Sequence, residues 1–170
     1  LRLKFGVISD SHHRSDVAKS AINFLKDCGA DLLIHAGDIV EHATLKDLKH
    51  SNLPYVAVLG NNDKELQKYK KEFNLFKEPY NFDFNGFKFR LAHYPYYLKG
   101  DADIFIYGHT HVFSVTKCNN SLYLNPGEIC ARKKPKFECV LVECEKQNLI
   151  NSFKIDKFES HINEICWQEV

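Results

Sequence analysis

The sequence predicts an α/β fold in which two packed β-sheets carry helices outside and a site gathers at strand ends. Three observations predict it. Apolar strand-like runs alternate with amphipathic stretches up to about residue 73, which implies parallel strands joined by helices. After Pro79 the helical spacing gives way to hairpin signals, of which Asn85-Gly86 is the strongest. Five strand-like runs end in residues of one chemical kind: Asp10 with His12, then Asp38, Asn61, His93, and His109 with His111. At 170 residues the chain fits one domain, 1–170, with 156–170 as a C-terminal tail extension. A domain of this size buries roughly 70% of its unfolded surface, so its core needs no structural metal or disulfide.

Leu3 to Ser9 forms a first strand and delivers Asp10-Ser11-His12-His13 into a loop. Ser15 or Asp16 is placed to cap the next helix, whose apolar stripe is Val17, Ala18, Ala21, Ile22, Leu25 and Cys28. Gly29 stops it. Asp31 to His35 is a second strand emptying into Gly37-Asp38, and a short helix spans about Thr44 to Lys49. Pro54 opens a third strand, Tyr55 to Leu59, which empties into Gly60-Asn61-Asn62-Asp63. Asp63 is placed to cap a lysine-rich helix reaching about Phe73.

In the second half, Asn81 to Phe84 and Phe87 to His93 flank the Asn85-Gly86 turn. Phe87, Phe89, Leu91 and His93 share one phase, so His93 ends an apolar face and points inward. Asp103 to Tyr107 is a short buried strand ended by Gly108. In extended backbone, His109 and His111 project to one side, far enough apart to serve two ions rather than one. Strands near Val112–Lys117 and Ser121–Leu124 bracket a turn, and Phe137–Cys144 with Leu149–Ile155 form a last hairpin. The second half is thus mostly antiparallel. The tail from Phe158 to Val170 has helical spacing through Ile162, Ile165 and Trp167 and packs on the body or on a partner, which leaves a homo-oligomer open.

Lys+Arg 23 against Asp+Glu 22 gives a net charge of +1, which supplies no overall field toward nucleic acid or a membrane surface. No apolar run approaches a membrane span. The six cysteines include no C-x-x-C pair and lack the regular spacing of a secreted scaffold; Cys28 and Cys139 sit in apolar runs as small hydrophobes. With no basic-then-apolar leader, the expected location is cytoplasmic.

Asp10, His12, Asp38, Asn61, His93, His109 and His111 together offer four imidazoles, two carboxylates and an amide, with no thiolate. That nitrogen and oxygen set suits Mn, Fe, Zn, Co or Ni. It exceeds the three protein ligands of a catalytic zinc, whereas two ions sharing a carboxylate accommodate seven donors. The charge left over, about +1 with a bound hydroxide, favours an anionic phosphate ester over a neutral ester or amide.

Asp10-Ser11-His12, Gly37-Asp38, Gly60-Asn61-Asn62-Asp63, the strand-ending His93, Gly108-His109-Thr110-His111 and Asn125-Pro126-Gly127 occur in that order. In that order they resemble the calcineurin-like metallophosphoesterases, and in length the chain is similar to their small YfcE-type phosphodiesterase branch, over about residues 1–155. The resemblance implies a four-layered α-β-β-α sandwich of two mixed sheets with a dinuclear site. It implies that Asp10, His12 and His111 hold one divalent ion, that Asn61, His93 and His109 hold another, manganese first among the candidates, and that Asp38 bridges them. It implies a phosphodiesterase acting on a small phosphoester, with a hydroxide between the ions attacking phosphorus in line.

The chain departs from the family where protons and substrate are handled. Asn62 stands where many members carry the histidine that serves as general acid, and His13, where glycine is common, is either a surface residue or a substitute donor. Tyr94 and Glu128 replace the usual glycine and serine and change the pocket wall. Asn61, Tyr94 and Arg132 are the candidate substrate contacts, Arg132 because its basic cluster (132–136) follows Asn125-Pro126-Gly127 closely. Asn125 orients a metal ligand or merely makes a turn. His35 is expected to be a satisfied core histidine, and His42, His50 and His161 to be solvated. The rival reading is a non-catalytic scaffold, since the same fold serves as a retromer subunit with a degenerate metal site. A nucleic-acid-binding module rests on the basic cluster alone.

Overall fold

The computed structural model describes residues 1–170. Its elements in chain order are β1 (Arg2–Ile8), α1 (Ser15–Asp27), β2 (Leu32–His35), α2 (His42–His50), β3 (Tyr55–Val58), β4 (Leu75–Phe76), β5 (Tyr80–Phe84), β6 (Phe87–Leu91), β7 (Ile104–Ile106), β8 (Ser114–Cys118), β9 (Ser121–Asn125), β10 (Lys136–Gln147), β11 (Ile150–His161) and β12 (Gln168–Glu169). They form two mixed sheets. The seven-stranded sheet runs β12-β11-β10-β1-β2-β3-β4 and the five-stranded sheet runs β5-β6-β7-β9-β8.

Two cores hold these layers. Phe5, Val7, Leu32 and Ile34 meet Phe87, Phe89, Leu91, Ile104 and Ile106 between the sheets. The stripe of α1 and Leu45 and Leu48 of α2 cover the other face of the larger sheet, against Ile8, Leu33, Ala57 and Phe137. β2 is buried along its whole length, as a strand covered on both faces must be.

Several local expectations change. Neither Ser15 nor Asp16 caps α1: Arg14 stands at that position, Ser15 N–H donates to Glu41 Oε1 at 3.1 Å, and Asp16 pairs with Arg14. The lysine-rich segment after Asp63 is a short 3₁₀ helix, Lys64–Tyr69, followed by the extra strand β4. The second half is less antiparallel than its hairpins suggest, because β6/β7 and β7/β9 are parallel. The β6–β7 crossover carries Tyr94, and the β7–β9 connection carries the two loop histidines and then β8, which pairs antiparallel with β9. The tail is not helical. β10 and β11 pair from Gln147↔Ile150 to Lys136↔His161, β12 adds to β11, and Trp167 Nε1 donates to Ser20 on α1 at 3.0 Å. Strand pairing overrides the weak helical period there.

All six cysteines are free, with Cys139 buried and Cys28 half-buried. No helix is long and apolar enough to cross a membrane.

Candidate metal centre

β1, β2 and β3 run parallel in one sheet, and β6, β7 and β9 run parallel in the other. The carboxyl ends of both sets open on the same space, which is where α/β sheets place their ligands. Asp10 and His12 follow β1, Asp38 follows β2 and Asn61 follows β3. His93 follows β6, and His109 and His111 follow β7.

The structure brings all seven together. His12 Nε2 lies 3.5 Å from Asp38 Oδ2 and 3.9 Å from Asp10 Oδ1. His111 Nε2 is 3.3 Å from Asp10 Oδ1. His93 Nε2 is 3.4 Å from Asp38 Oδ2 and 2.9 Å from Asn61 Oδ1. The His109 ring stands 5.2 Å from that of His93, between centroids. Asp38 therefore faces both groups.

The backbone that achieves this is not the extended one expected of His109 and His111. Asp10 (φ 54°), His12 (44°), Asp38 (56°), His109 (68°) and His111 (64°) are all left-handed. Such residues cost roughly 1–3 kcal/mol each and persist only where their surroundings hold them. The holding contacts are present. Asp10 N–H donates to Gly37 O at 3.0 Å and His12 N–H to Asp38 O at 3.1 Å, tying the first two loops together. Asn125 answers both descriptions given of it: its Nδ2 donates to Gly108 O (3.0 Å) and Thr110 Oγ1 (2.9 Å), while its Oδ1 accepts the turn N–H of Gly127. A side chain at Gly108 would strike Ser9 Oγ and come within 2.8 Å of Asp10 Oδ2. Glycine lets the histidine loop approach the first strand end.

The tautomers are fixed from outside the cluster. His93 Nδ1–H donates to Ala36 O at 2.9 Å, which turns Nε2 toward Asn61 and Asp38. His111 Nδ1–H donates to Glu128 Oε1 at 3.0 Å, which turns its Nε2 toward Asp10. Burial depresses His93, but the Asp38 carboxylate outweighs it and lifts the imidazole to about 9. Burial raises Asp38, yet His93 and Asn62 more than offset this and leave it well below the usual range. Burial lowers His12 to about 4, against Asp38 and with the help of Arg132, and raises Asp10 to about 6.

These residues fit divalent cations. Asp10 Oδ1 and His12 Nε2 are buried without any hydrogen-bond partner, a cost of roughly 1–3 kcal/mol for each such group in a protein interior. Each faces other lone pairs, an arrangement that a shared cation satisfies.

The remaining candidates divide. Asn62 hangs on Asp38, its N–H 3.0 Å from Oδ1 and its Nδ2 2.9 Å from Oδ2. Asp63 does not cap a helix; its carboxylate accepts from the N–H groups of Gly60, Ile39 and Val40. His13 is exposed. The Tyr94 ring lies 4.3 Å from that of His109, tilted by 50°. Arg132 is exposed, with its charge felt at His12. His35 is satisfied in the core by Ser11 Oγ and Gly37 N–H. His50 and His161 are exposed as expected, but His42 stacks on Tyr69 at 4.0 Å rather than lying in solvent.

Sequence reasoning missed what Glu128 does. It is fully buried rather than part of a wall, and it accepts from His111, from the N–H groups of Arg132, Lys133 and Lys134, and from Lys134 Nζ. The basic loop is therefore built onto the histidine loop, with Lys133 Nζ also reaching Thr110 O at 2.9 Å. Burial raises Glu128, but these donors hold it down near 2. Cys130 Sγ lies 3.7 Å from His111 Nδ1 and was also not anticipated. The available signal was an acid set between Gly127 and the apolar Ile129.

The family model for the calcineurin-like phosphoesterase superfamily domain matches residues 3–147. By sequence, the phosphodiesterase MJ0936 of Methanocaldococcus jannaschii is 30% identical over 141 residues, covering 75% of this chain and 85% of that protein. By structure, a novel archaeal phosphodiesterase superposes with a TM-score of 0.74 at 25% identity, over 90% of this chain and 99% of the other. YfcE, a phosphoesterase from E. coli, has the same fold at TM-score 0.65 and 20% identity, over 82% and 91%. So does Vps29 of Entamoeba histolytica in complex with zinc, at TM-score 0.70 and 19% identity, over 99% and 98%. The chain belongs to the calcineurin-like phosphoesterase superfamily.

Proposed function

We propose that this chain is a phosphodiesterase working with two divalent cations. The observation that carries the reading is the convergence of seven donor groups that include two buried, unpartnered ones, Asp10 Oδ1 and His12 Nε2. Asp10, His12 and His111 hold one cation, Asn61, His93 and His109 hold the other, and Asp38 serves both. Bound there, the pair supplies Lewis-acid activation of water and neutralises charge gathering on a phosphoryl group. Manganese is the first candidate. Asn61, exposed and bonded to His93, and Arg132, exposed with its charge felt at His12, are the candidates for gripping the phosphate's free oxygens. The decisive experiment is elemental analysis of protein purified without added metal, paired with turnover of bis-p-nitrophenyl phosphate before and after manganese. Metal-free protein that stays inactive with manganese overturns the reading. It would favour the scaffold reading, which the Vps29 likeness keeps in view over nearly the whole chain.

His93 tests the ligand assignment. Its side chain is fully buried, so a packing role is the competing account. His93→Ala is expected to lose one cation per chain while circular dichroism stays native. Unchanged metal stoichiometry refutes the assignment.

The proton inventory sets the leaving group. Asn62 donates only to Asp38, and Asp63 is occupied by three backbone donors, so neither delivers a proton to a departing oxygen. A positioned acid typically contributes 10²–10⁴-fold. Without one, rates across aryl phosphodiesters should fall steeply as the leaving group's pKa rises, and the slope should flatten in Asn62→His. A flat dependence in the unaltered protein means that an acid is present. If His13→Ala then steepens it, His13 is that acid.

A further inference from the structure

Beside His109 the chain spends three tyrosines in four residues, and they form a ladder. Tyr94 lies 4.3 Å from the His109 ring, and Tyr96 stacks on Tyr94 at 5.1 Å with planes 21° apart. Tyr97 backs Tyr96 at 4.7 Å. The segment that carries them is held firmly. Glu78 Oε1 accepts the N–H groups of His93 and Tyr94 at 2.9 and 2.8 Å. Pro95–Tyr97 is a 3₁₀ turn, and Arg90 Nε donates to Tyr97 O at 2.6 Å. Yet Tyr96, the outer rung, is 61% exposed. Burying a large apolar side chain is worth roughly 1.5–3 kcal/mol, so a fixed ring left in water forgoes that stabilisation.

We propose that Tyr94 and Tyr96 form a stacking platform for a nucleobase, which makes the substrate class a nucleotide-type phosphodiester. The proposal rests on the phosphodiesterase reading and adds the nature of one ester arm. Position supports it, because the ladder starts on His109 and leads outward from the donor cluster. Division of labour supports it as well. The cationic residues Arg132 and Lys133 lie on the loop tied to His111, whereas the wall beside His109 offers neutral aromatic faces. A phosphate held by the former places one of its arms along the latter. Every base has a π-face, so stacking needs no particular base. An alkyl arm gains little from flat rings.

The test compares adenosine 5′-monophosphate with ribose 5-phosphate, which share phosphate and sugar and differ in the base. Calorimetric titration of the manganese-loaded chain is expected to show adenosine 5′-monophosphate binding at least 5-fold more tightly, since stacking on one aromatic is worth roughly 5- to 150-fold in affinity. Tyr96→Ala should bring it down to the ribose 5-phosphate affinity, and Tyr96→Phe should retain the preference. Equal affinities in the unaltered chain, or a preference that survives Tyr96→Ala, overturn the platform. Bis-p-nitrophenyl phosphate turnover is measured on the same preparations. Absence of turnover with the base preference intact would sink the phosphodiesterase reading and leave the platform standing.

Discussion

Asp38→Asn is expected to lower kcat/KM on a phosphodiester by at least about 10²–10³-fold, the scale of removing one fixed electrostatic partner from a transition state, and to do more damage than any other single ligand change. Geometry supplies the reason. Asp38 Oδ2 lies within 3.5 Å of both His12 Nε2 and His93 Nε2, so one carboxylate faces both halves of the donor cluster. On the proposed two-cation reading, losing its charge would weaken the hold on both and leave their mutual repulsion less screened. The amide still fits and can still accept from the Asn62 N–H, so the fold should survive. Metal stoichiometry and kcat/KM measured together check this. Two metals per chain with near-normal turnover would refute the shared role.

Glu128→Ala should be the most damaging change outside the donor set. Metal affinity is expected to fall about 10- to 100-fold, as when the partner that orients a ligating imidazole is removed. Stability should fall too, because three backbone N–H groups and Lys134 lose their acceptor, at roughly 1–3 kcal/mol for each group left buried and unpaired. Glu138, 3.0 Å from Lys134 Nζ, limits the loss. Glu128→Gln keeps the shape but must turn an NH₂ either toward His111 Nδ1–H or toward the loop donors, and should fall between. The carboxyl is held down near 2, so its contribution is complete above its ordinary 4.5 and fades as pH falls toward 2. Thermal melts across that range, with metal titration at neutral pH, test both parts. Unaltered metal affinity in Glu128→Ala would reduce Glu128 to a structural residue.

The convergence of the seven residues was legible in the sequence because carboxylates, amides and imidazoles are readily picked out and strand ends are marked by glycine and by the close of apolar runs. The two sheets followed from the same punctuation. The backbone geometry was not legible. His109 and His111 diverge through left-handed residues rather than by strand alternation, and nothing in Gly-His-Thr-His distinguishes the two. The parallel pairing of β6, β7 and β9 was hidden because hairpin signals are local and crossovers are not. The tail misled for a related reason: a three-residue helical period is weak, and a twelve-residue strand partner is strong. Glu128 escaped because its meaning depends on contacts with His111, 17 positions away, and with a loop not yet folded when the sequence is read.

The donors come from both sheets. Asp10, His12, Asp38 and Asn61 follow strands of the larger one, and His93, His109 and His111 follow strands of the smaller. His111 meets Asp10, and His93 meets Asp38 and Asn61, only across the seam. Neither half of the cluster is therefore complete within one layer. In time rather than space, this orders the molecule's assembly: capture of an ion by the full donor set must wait until the phenylalanine-rich faces between the sheets have docked. Docking, once made, is then locked from its rim by whatever the seven groups hold.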